Sequence, residues 1–540
     1  MNPRTGSADP TESTEADDAA QLGTHFRELS GHYDVAVIGA GFGGLGAGLS
    51  LAERGARVVL LESLSYPGGC ASTFQRGGAS FESGATLFSG LGEGGLFRRW
   101  IDAYDLGVKV EWPDPVIEWR APGIDVPLSR DRRDLESRFL EMPGAPVRGL
   151  EKFFAHQRRV ADCLWSLLDE PALLPPFGLR GLAGHARRLP QTLPVLRDVG
   201  RPLASVLKRY GLEGFAPLRN LLDSICQITV QCGVEEAEAP FALATLDYVW
   251  RGTGHVRGGI GELARGLVRA IRSLGGDVCY SSRVRQIERL GGGWKLHARR
   301  GSVTADRVVA NLLPHDLDCV LDPSVDRPNW LGRLAADVET GWGACMLYLV
   351  IQPDESAPRH LELVADPTKP LIEGNHIFCS MSGMNDGPKA SNGCYTATVS
   401  THVPMHRLRS LDSEERASYV AGIQERMRET LSELAPEVDA RIVDSLTASP
   451  RTFERFTGRF LGYVGGVPRR AGWRQYLRLS NPEVAPGLQV VGDSVFPGQS
   501  TLAASLGGWK VAERWAQLFG QRRVSVPAAS EARTRSYQAV

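Results

Sequence analysis

The stretch Tyr33-Asp34-Val35-Ala36-Val37-Ile38-Gly39-Ala40-Gly41-Phe42-Gly43-Gly44, read on to Glu62, decides how this chain folds. An apolar strand over Val35 to Ile38 runs directly into the glycines. A small-residue helix is predicted from Leu45 to Arg54, then a turn at Gly55, then a second apolar strand from Val58 to Leu61 ending on Glu62. Strand, glycines, helix, strand and terminal acid together form a dinucleotide fingerprint in its required context. Gly39 allows a tight turn, Gly41 lets backbone approach a pyrophosphate, and Gly44 allows helix and strand to pack closely; Gly43 lies in the same run. The helix then starts with free N–H groups facing the phosphate charge. Glu62 lies 23 residues past Gly39, where a carboxylate accepts hydrogen bonds from a ribose. That acid favours free 2′ and 3′ hydroxyls, so FAD or NAD fits better than NADP.

Working outward, 540 residues exceed one ordinary core, and two interleaved domains are expected. A hydrophobic fraction of 42% with 23% charged residues belongs to a soluble globular chain, and a net charge of −1 gives no reason to expect nucleic acid. Nine scattered cysteines contain no CxxC pair and no metal-ligand spacing, so no metal site is expected and reduced thiols in a cytoplasm are. Residues 1–32 read as a disordered tail without a signal or transit pattern, and 521–540 as a flexible one. No stretch approaches the length of an uninterrupted apolar membrane span.

Past Glu62, Pro67-Gly68-Gly69-Cys70-Ala71-Ser72-Thr73-Phe74 supplies paired glycines, Gly68 and Gly69, for a second close approach to a bulky cofactor. Phe81 to Phe88 reads as a strand turning beneath it. From Leu96 to Trp250 helical spacing dominates, over Leu150 to Leu168, Pro202 to Val230 and Pro240 to Val249, with Trp165, Phe177, Phe215, Phe241 and Trp250 as core residues that together can wall an apolar tunnel. Leu164 to Leu196 mixes Leu, Phe and Pro with Arg180, Arg187, Arg188 and Arg197, a composition suited to an anionic bilayer or to a solvated basic face. Gly258-Gly259-Ile260-Gly261 is a loop opening the helix Glu262 to Leu274, not a second fingerprint, because no four-residue apolar strand precedes it. A nicotinamide reductant is therefore not indicated. Strands over Met346 to Ile351 and Tyr395 to Ser400, with a charged helix over Ser413 to Leu434, suggest a sheet-plus-helix substrate domain. Near the end, Gly487 to Val491 reads as an apolar strand closing on Gly492-Asp493, followed by a helix from Leu502 to Phe519. Asp493 is placed to bond ribityl hydroxyls or, alternatively, to cap that helix. Glu82 reads as a structural acid or, alternatively, as a proton acceptor, His255 is equally open between the two, and no catalytic residue is assigned.

With the fingerprint, Pro67-Gly68-Gly69 and Gly492-Asp493-Ser494-Val495-Phe496-Pro497-Gly498-Gln499 in order, the chain resembles the FAD-dependent phytoene desaturase and carotenoid isomerase family, nearest its carotenoid isomerase and retinol saturase branch. The resemblance implies an α/β architecture, a Rossmann-like FAD-binding domain (33–95, 255–330 and 480–520) interleaved with a mixed α+β domain for substrate and membrane contact (96–254 and 331–479). It implies FAD held by Gly39, Gly41, Gly43, Gly44, Glu62, Gly68, Gly69, Gly492 and Asp493, with adenine contacted by the backbone of Val284. Many relatives carry Arg where this chain has Cys70, which implies a missing charge contact. Asn392-Gly393-Cys394 resembles the flavin-tethering cysteine of some amine oxidases but lies too early, and is assigned to a strand. The implied activity is hydride transfer at flavin N5 to or from a long apolar isoprenoid: desaturation, saturation or cis–trans isomerisation. Oxygen or a quinone is the expected electron acceptor, and the expected place is the cytoplasm, including the inner face of its membrane. Two alternatives stay open: a soluble amine or amino-acid oxidase on the same fold, and a non-catalytic prenyl-protein escort.

Overall fold

The computed structural model describes residues 29–519 except 85, 171–172, 176–178, 355–356, 388, 474–475 and 477–482. The first sheet grows from the fingerprint. His32–Ile38 lies parallel to Val58–Leu61 on one side and to Gly301–Ala310 on the other. Beyond Val58–Leu61 comes Asp277–Cys279, while Leu488–Val490 also joins Gly301–Ala310 in parallel. The hairpin Val284–Leu290 and Gly293–Ala298 extends the same sheet antiparallel. Three distant stretches of sequence thus meet in one sheet, because each contributes a short, fully buried apolar run such as Val58-Val59-Leu60-Leu61.

The first helix spans Phe42–Glu53, starting three residues earlier than the spacing predicts. It is buried all round from Phe42 to Ala52 because the C-terminal helix, Thr501–Trp515, packs against it on contacts only glycine permits. A Cβ on Gly508 would lie 2.3 Å from the carbonyl oxygen of Gly43, and one on Gly46 would lie 2.5 Å from that of Ser505. Helix Ile260–Ser273 covers the same side and begins at the Gly258-Gly259 loop, as expected of a helix start. Leu96–Tyr104, on the far side of the boundary drawn at residue 95, packs Phe97 and Trp100 into this same core, and Phe97 meets Phe42 edge-on at 5.7 Å. The N-terminal tail expected over 1–32 ends early. Leu29 bridges Gly301 and is buried, so residues 29–32 belong to the sheet edge. Residues 1–28 and 520–540 lie outside the described residues.

The second sheet runs in the order Ile442–Ala448, Trp342–Ile351, Tyr395–Pro404, His376–Met381, His360–Val364, Ile117–Ala121, Ile124–Leu128. Alternation along these strands separates two faces. One face, with Leu347, Leu349, Leu361, Ile377 and Val399, packs on Ile423, Met427 and Leu431 of helix Ser413–Leu434, whose bounds match the sequence reading. The other face turns inward. Above it lie the helices Val147–Leu168, Leu203–Arg209, Ala216–Thr229 and Ala239–Leu246, sharing a core with Trp119 and Phe139. The Phe81–Phe88 strand is shorter than expected: only Ala79–Glu82 is extended, paired with Thr73–Arg76, and Ala85 is outside the described residues.

Candidate functional site

The glycines converge first. Gly39 adopts φ +90° and donates its N–H to Leu61 O at 2.8 Å, turning the chain across the end of the sheet. A Cβ on Gly44 would lie 1.9 Å from the Gly39 carbonyl oxygen, so helix and turn are pressed together as the fingerprint requires. Gly41 bridges Gly68, whose N–H reaches Ala40 O at 2.8 Å, and the space over Gly69 is bounded by Gly41. From the last strand, Gly492 closes over the start of the first helix: a Cβ on Gly43 would stand 3.0 Å from Gly492 Cα. Asn311, at the end of Gly301–Ala310, lies beneath them, its carboxamide within 2.7 Å of the Cβ positions of Gly41, Gly43 and Gly492.

Glu62 ends its strand with the carboxylate buried. Oε2 accepts the N–H of Ala40 at 2.6 Å, and Oε1 accepts the N–H of Leu64 at 2.8 Å and the Ser63 hydroxyl at 3.0 Å. Burial pushes its pKa up while these donors pull it down, and the first effect wins. Its backbone oxygen receives Ser282 N–H at 2.7 Å, which carries Val284 to the same edge. Gly39, Gly41, Gly43, Glu62, Gly68, Gly69, Val284, Gly492 and Asp493 all line one cavity of about 1160 Å³, and Gly44 lies directly behind, where it packs the helix. The fit to a bound dinucleotide is physical: a cradle that any Cβ would fill, and a buried acid at its far end.

Asp493 does not cap the C-terminal helix. Ser500 does, its Oγ accepting Ala503 N–H at 3.0 Å, and Asp493 instead pairs with Arg459 at 2.8 Å. Arg459 also donates to Tyr463 O at 2.6 Å and lies in the field of the Cys70 thiol. Burial lowers the Arg459 pKa, but Asp493, Cys70 and Asp316 outweigh it and raise the pKa overall. Arg459, almost four hundred residues away in sequence, thus brings a positive charge near Cys70. Cys394 precedes the strand Tyr395–Pro404 instead of lying in it, following a turn at Ser391–Gly393, and is not on the cavity wall.

The cavity continues from the cradle between the inner face of the second sheet and the helices. Leu164, Trp165 and Leu168 wall it from Val147–Leu168, Ile225 and Thr229 from Ala216–Thr229, and Phe241 from Ala239–Leu246. Of the aromatic residues singled out in this insert, Phe215 is core, Trp165, Phe241 and Trp250 are partly buried, and Phe177 lies outside the described residues. Met346, Phe378, Ser400 and His402 face the same space from the sheet. Glu82 and His255 are both engaged in buried contacts away from the cavity. Glu82 accepts Ile260 N–H at 3.0 Å and the Thr73 hydroxyl at 2.9 Å, holding the start of helix Ile260–Ser273, and burial pushes its pKa up to about 7. His255 pairs with buried Asp386 at 2.8 Å. Neither lines the cavity.

Asn311, Arg459, Gln231 and the Glu362–His376 pair escape the sequence reading. Asn311 carried the one usable signal, a polar residue ending an apolar strand as Glu62 does; nothing local marks the others.

The profile of the family described as "Flavin containing amine oxidoreductase" matches residues 42–514. A chloroplastic prolycopene isomerase of Daucus carota is 24% identical over 532 residues, covering 95% of this chain and 83% of that protein. A neurosporene-forming phytoene desaturase of Cereibacter sphaeroides is 24% identical, covering 86% of this chain and 90% of the relative. Among solved structures, an oxidoreductase from Methanosarcina mazei superposes with a TM-score of 0.60 at 18% identity, covering 90% of this chain and all of that one. A glycine cradle ending on a buried acid and closed by a Gly-Asp strand, with a family match running from residue 42 to residue 514, makes this chain a member of the flavin-containing amine oxidoreductase family, an FAD-dependent oxidoreductase.

Proposed function

We propose that this oxidoreductase acts on a long apolar isoprenoid of the carotenoid type, by desaturation, saturation or cis–trans isomerisation. The observation that carries the reading is the continuity of the cavity, which leads from the glycine cradle straight into a space walled by Leu164, Leu168, Ile225, Phe241 and Phe378. Such walls exclude water and align a hydrocarbon by shape. Gly39, Gly41, Gly43 and Gly44 receive the pyrophosphate, Glu62 the ribose, Val284 the adenine, Gly68 and Gly69 the region between, and Gly492 with Asp493 the ribityl chain. Bound there, FAD supplies hydride acceptance and donation. Arg459 orients Asp493 through their 2.8 Å pair, and the buried walls keep bulk water from the reacting carbon.

The surface outside the Leu196 wall of the cavity suits a lipid-borne ligand. Leu182, Leu193 and Leu196 are more than half exposed, and Trp473 is 70% exposed next to Gly200. Arg187 and Arg197 flank them in sequence and are exposed as well. No helix among the described residues is long and apolar enough to cross a membrane. An interfacial leucine and tryptophan patch with basic neighbours fits docking on an anionic bilayer surface. The test is expression in bacteria accumulating phytoene, lycopene or prolycopene, followed by pigment analysis. A changed double-bond count or geometry is expected. Unaltered polyenes in every strain, with peroxide released on adding amines, would instead favour an amine oxidase.

A further inference from the structure

The inward face of the second sheet is polar where an apolar ligand would need only hydrocarbon. Glu362 and His376 are 1% and 2% exposed and paired at 3.0 Å (Oε1 to Nε2). Phe378 stands opposite Ser400 in the antiparallel register, so two residues further along, His376 and His402 are neighbours across the same strands. The three side chains form a row, not a shell: among the described residues no three His, Cys, Asp or Glu side chains are grouped to hold a metal ion.

His402 stands out in this row. Its ring packs edge-on to Trp342 at 6.0 Å and faces the cavity, with no hydrogen bond among the described residues. Burial, helped by the neighbouring His376, pulls its pKa down to about 3, so the ring is neutral with one donor and one acceptor. Trp342 Nε1 donates to the backbone oxygen of Gln231 at 2.9 Å, which brings Gln231 to the same corner. Gln231 is 2% exposed and lines the cavity; its Nε2 donates to Val464 O at 3.3 Å, while its Oε1 is buried without a partner. A buried polar atom left unpaired costs about 1–3 kcal/mol. That unpaired oxygen, beside a cavity-facing histidine ring in an otherwise apolar wall, marks a place where a ligand hydroxyl belongs.

We propose that His402 and Gln231 bind a hydroxyl carried by the hydrocarbon ligand, the hydroxyl donating to Gln231 Oε1 and meeting the His402 ring, with Glu362–His376 fixing that ring's neighbour. The assignment rests on the isoprenoid reading and narrows it to isoprenoid alcohols. The purified holoprotein is titrated with geranylgeraniol and with the matching hydrocarbon lacking the hydroxyl, following tryptophan fluorescence and the visible flavin band. The alcohol is expected to bind about tenfold more tightly or better. His402→Leu and, separately, Gln231→Met are each expected to shrink that ratio to about twofold, while leaving the hydrocarbon's affinity nearly as it was. Equal binding of the two ligands by the native protein overturns the proposal and leaves the isoprenoid reading standing. A preference that persists undiminished in either folded variant also overturns it. Binding of neither ligand removes the isoprenoid reading itself, and this assignment with it.

Discussion

The two sheets of this molecule build their halves of one cavity in opposite ways. The first presents backbone: Gly39, Gly41, Gly43 and Gly492 crowd together with Asn311 wedged beneath, and its recognition surface exists because side chains are missing. The second presents side chains: Met346, Phe378, Ser400 and His402 project from regular strands into the same space. A backbone site has few solutions, since a Cβ added at any of these glycines would come within about 3 Å of Asn311 or of neighbouring backbone, and Gly39 and Gly492 also hold positive φ. A side-chain site has many, since any strand offers alternate positions to its inner face. On the proposed reading, the first half holds the cofactor and the second chooses the ligand.

That contrast is broken most severely at Gly44. Gly44→Val places a side chain onto the Gly39 carbonyl, which has no room to move within the sheet. Complete loss of bound flavin is expected, seen as a colourless protein that does not take up added FAD. His402→Leu on the opposite wall should keep its full yellow colour. Equal loss of flavin in both would show that the two halves are not separable.

A smaller effect tests whether the charge at Cys70 has been relocated. Arg459→Ala leaves the Asp493 carboxylate without its partner in a partly buried place. FAD affinity should weaken by about 10–100-fold, the scale of losing a charge-assisted pair, measured by flavin release on dilution. Cys70→Arg in that background returns a guanidinium to the same corner and should recover part of the loss. No recovery would mean that Arg459 acts only on Asp493 and not in place of the residue at 70.

At the exposed leucines Leu193 and Leu196 the expected change is milder. Leu193→Ser with Leu196→Ser removes two exposed apolar side chains, about 1–2 kcal/mol each when immersed in a bilayer surface. Co-sedimentation with vesicles rich in phosphatidylglycerol should fall about tenfold or more, with no change in flavin content. Retention of vesicle binding would assign those leucines to some other contact.

How far the sequence could be read follows the same divide. The run from Val35 to Glu62, the loop at Gly258-Gly259 and the strand into Gly492-Asp493 were legible because glycine spacing and strand ends are local properties. Helix Ser413–Leu434 was legible to the residue because Asp412 and Glu415 form a capping box at its start. Arg459 was not, since what defines it is an ion pair with Asp493 and a charge near Cys70 that only the folded chain creates. Glu362, His376 and His402 sit in strands whose alternation shows that one face differs from the other, but not which face looks inward. Asp493 was misassigned in its alternative reading for a similar reason: an acid seven residues before a cap resembles one only until the intervening loop is drawn.

The last and smallest contrast concerns two buried carboxyls that burial pushes up to about 7, Glu82 beside the cofactor half and Glu238 in the helical insert. Glu82 faces Thr73 and the N–H of Ile260; Glu238 accepts the N–H of Gly200 and Phe241 and the hydroxyl of Tyr476. Each folded pKa exceeds its unfolded value of 4.5, so folding takes up a proton. The favourable term is whole below about pH 4.5, shrinks as pH rises and is gone past about pH 7, with a slope of at most about 1.4 kcal/mol per pH unit for each group. Glutamine at either position stays neutral and should flatten the fall of melting temperature across that window. If Glu82→Gln flattens only the transition that releases flavin, and Glu238→Gln only the one followed by tryptophan fluorescence, the two halves melt separately. If each variant flattens both signals alike, the shared cavity walls couple them into one cooperative unit.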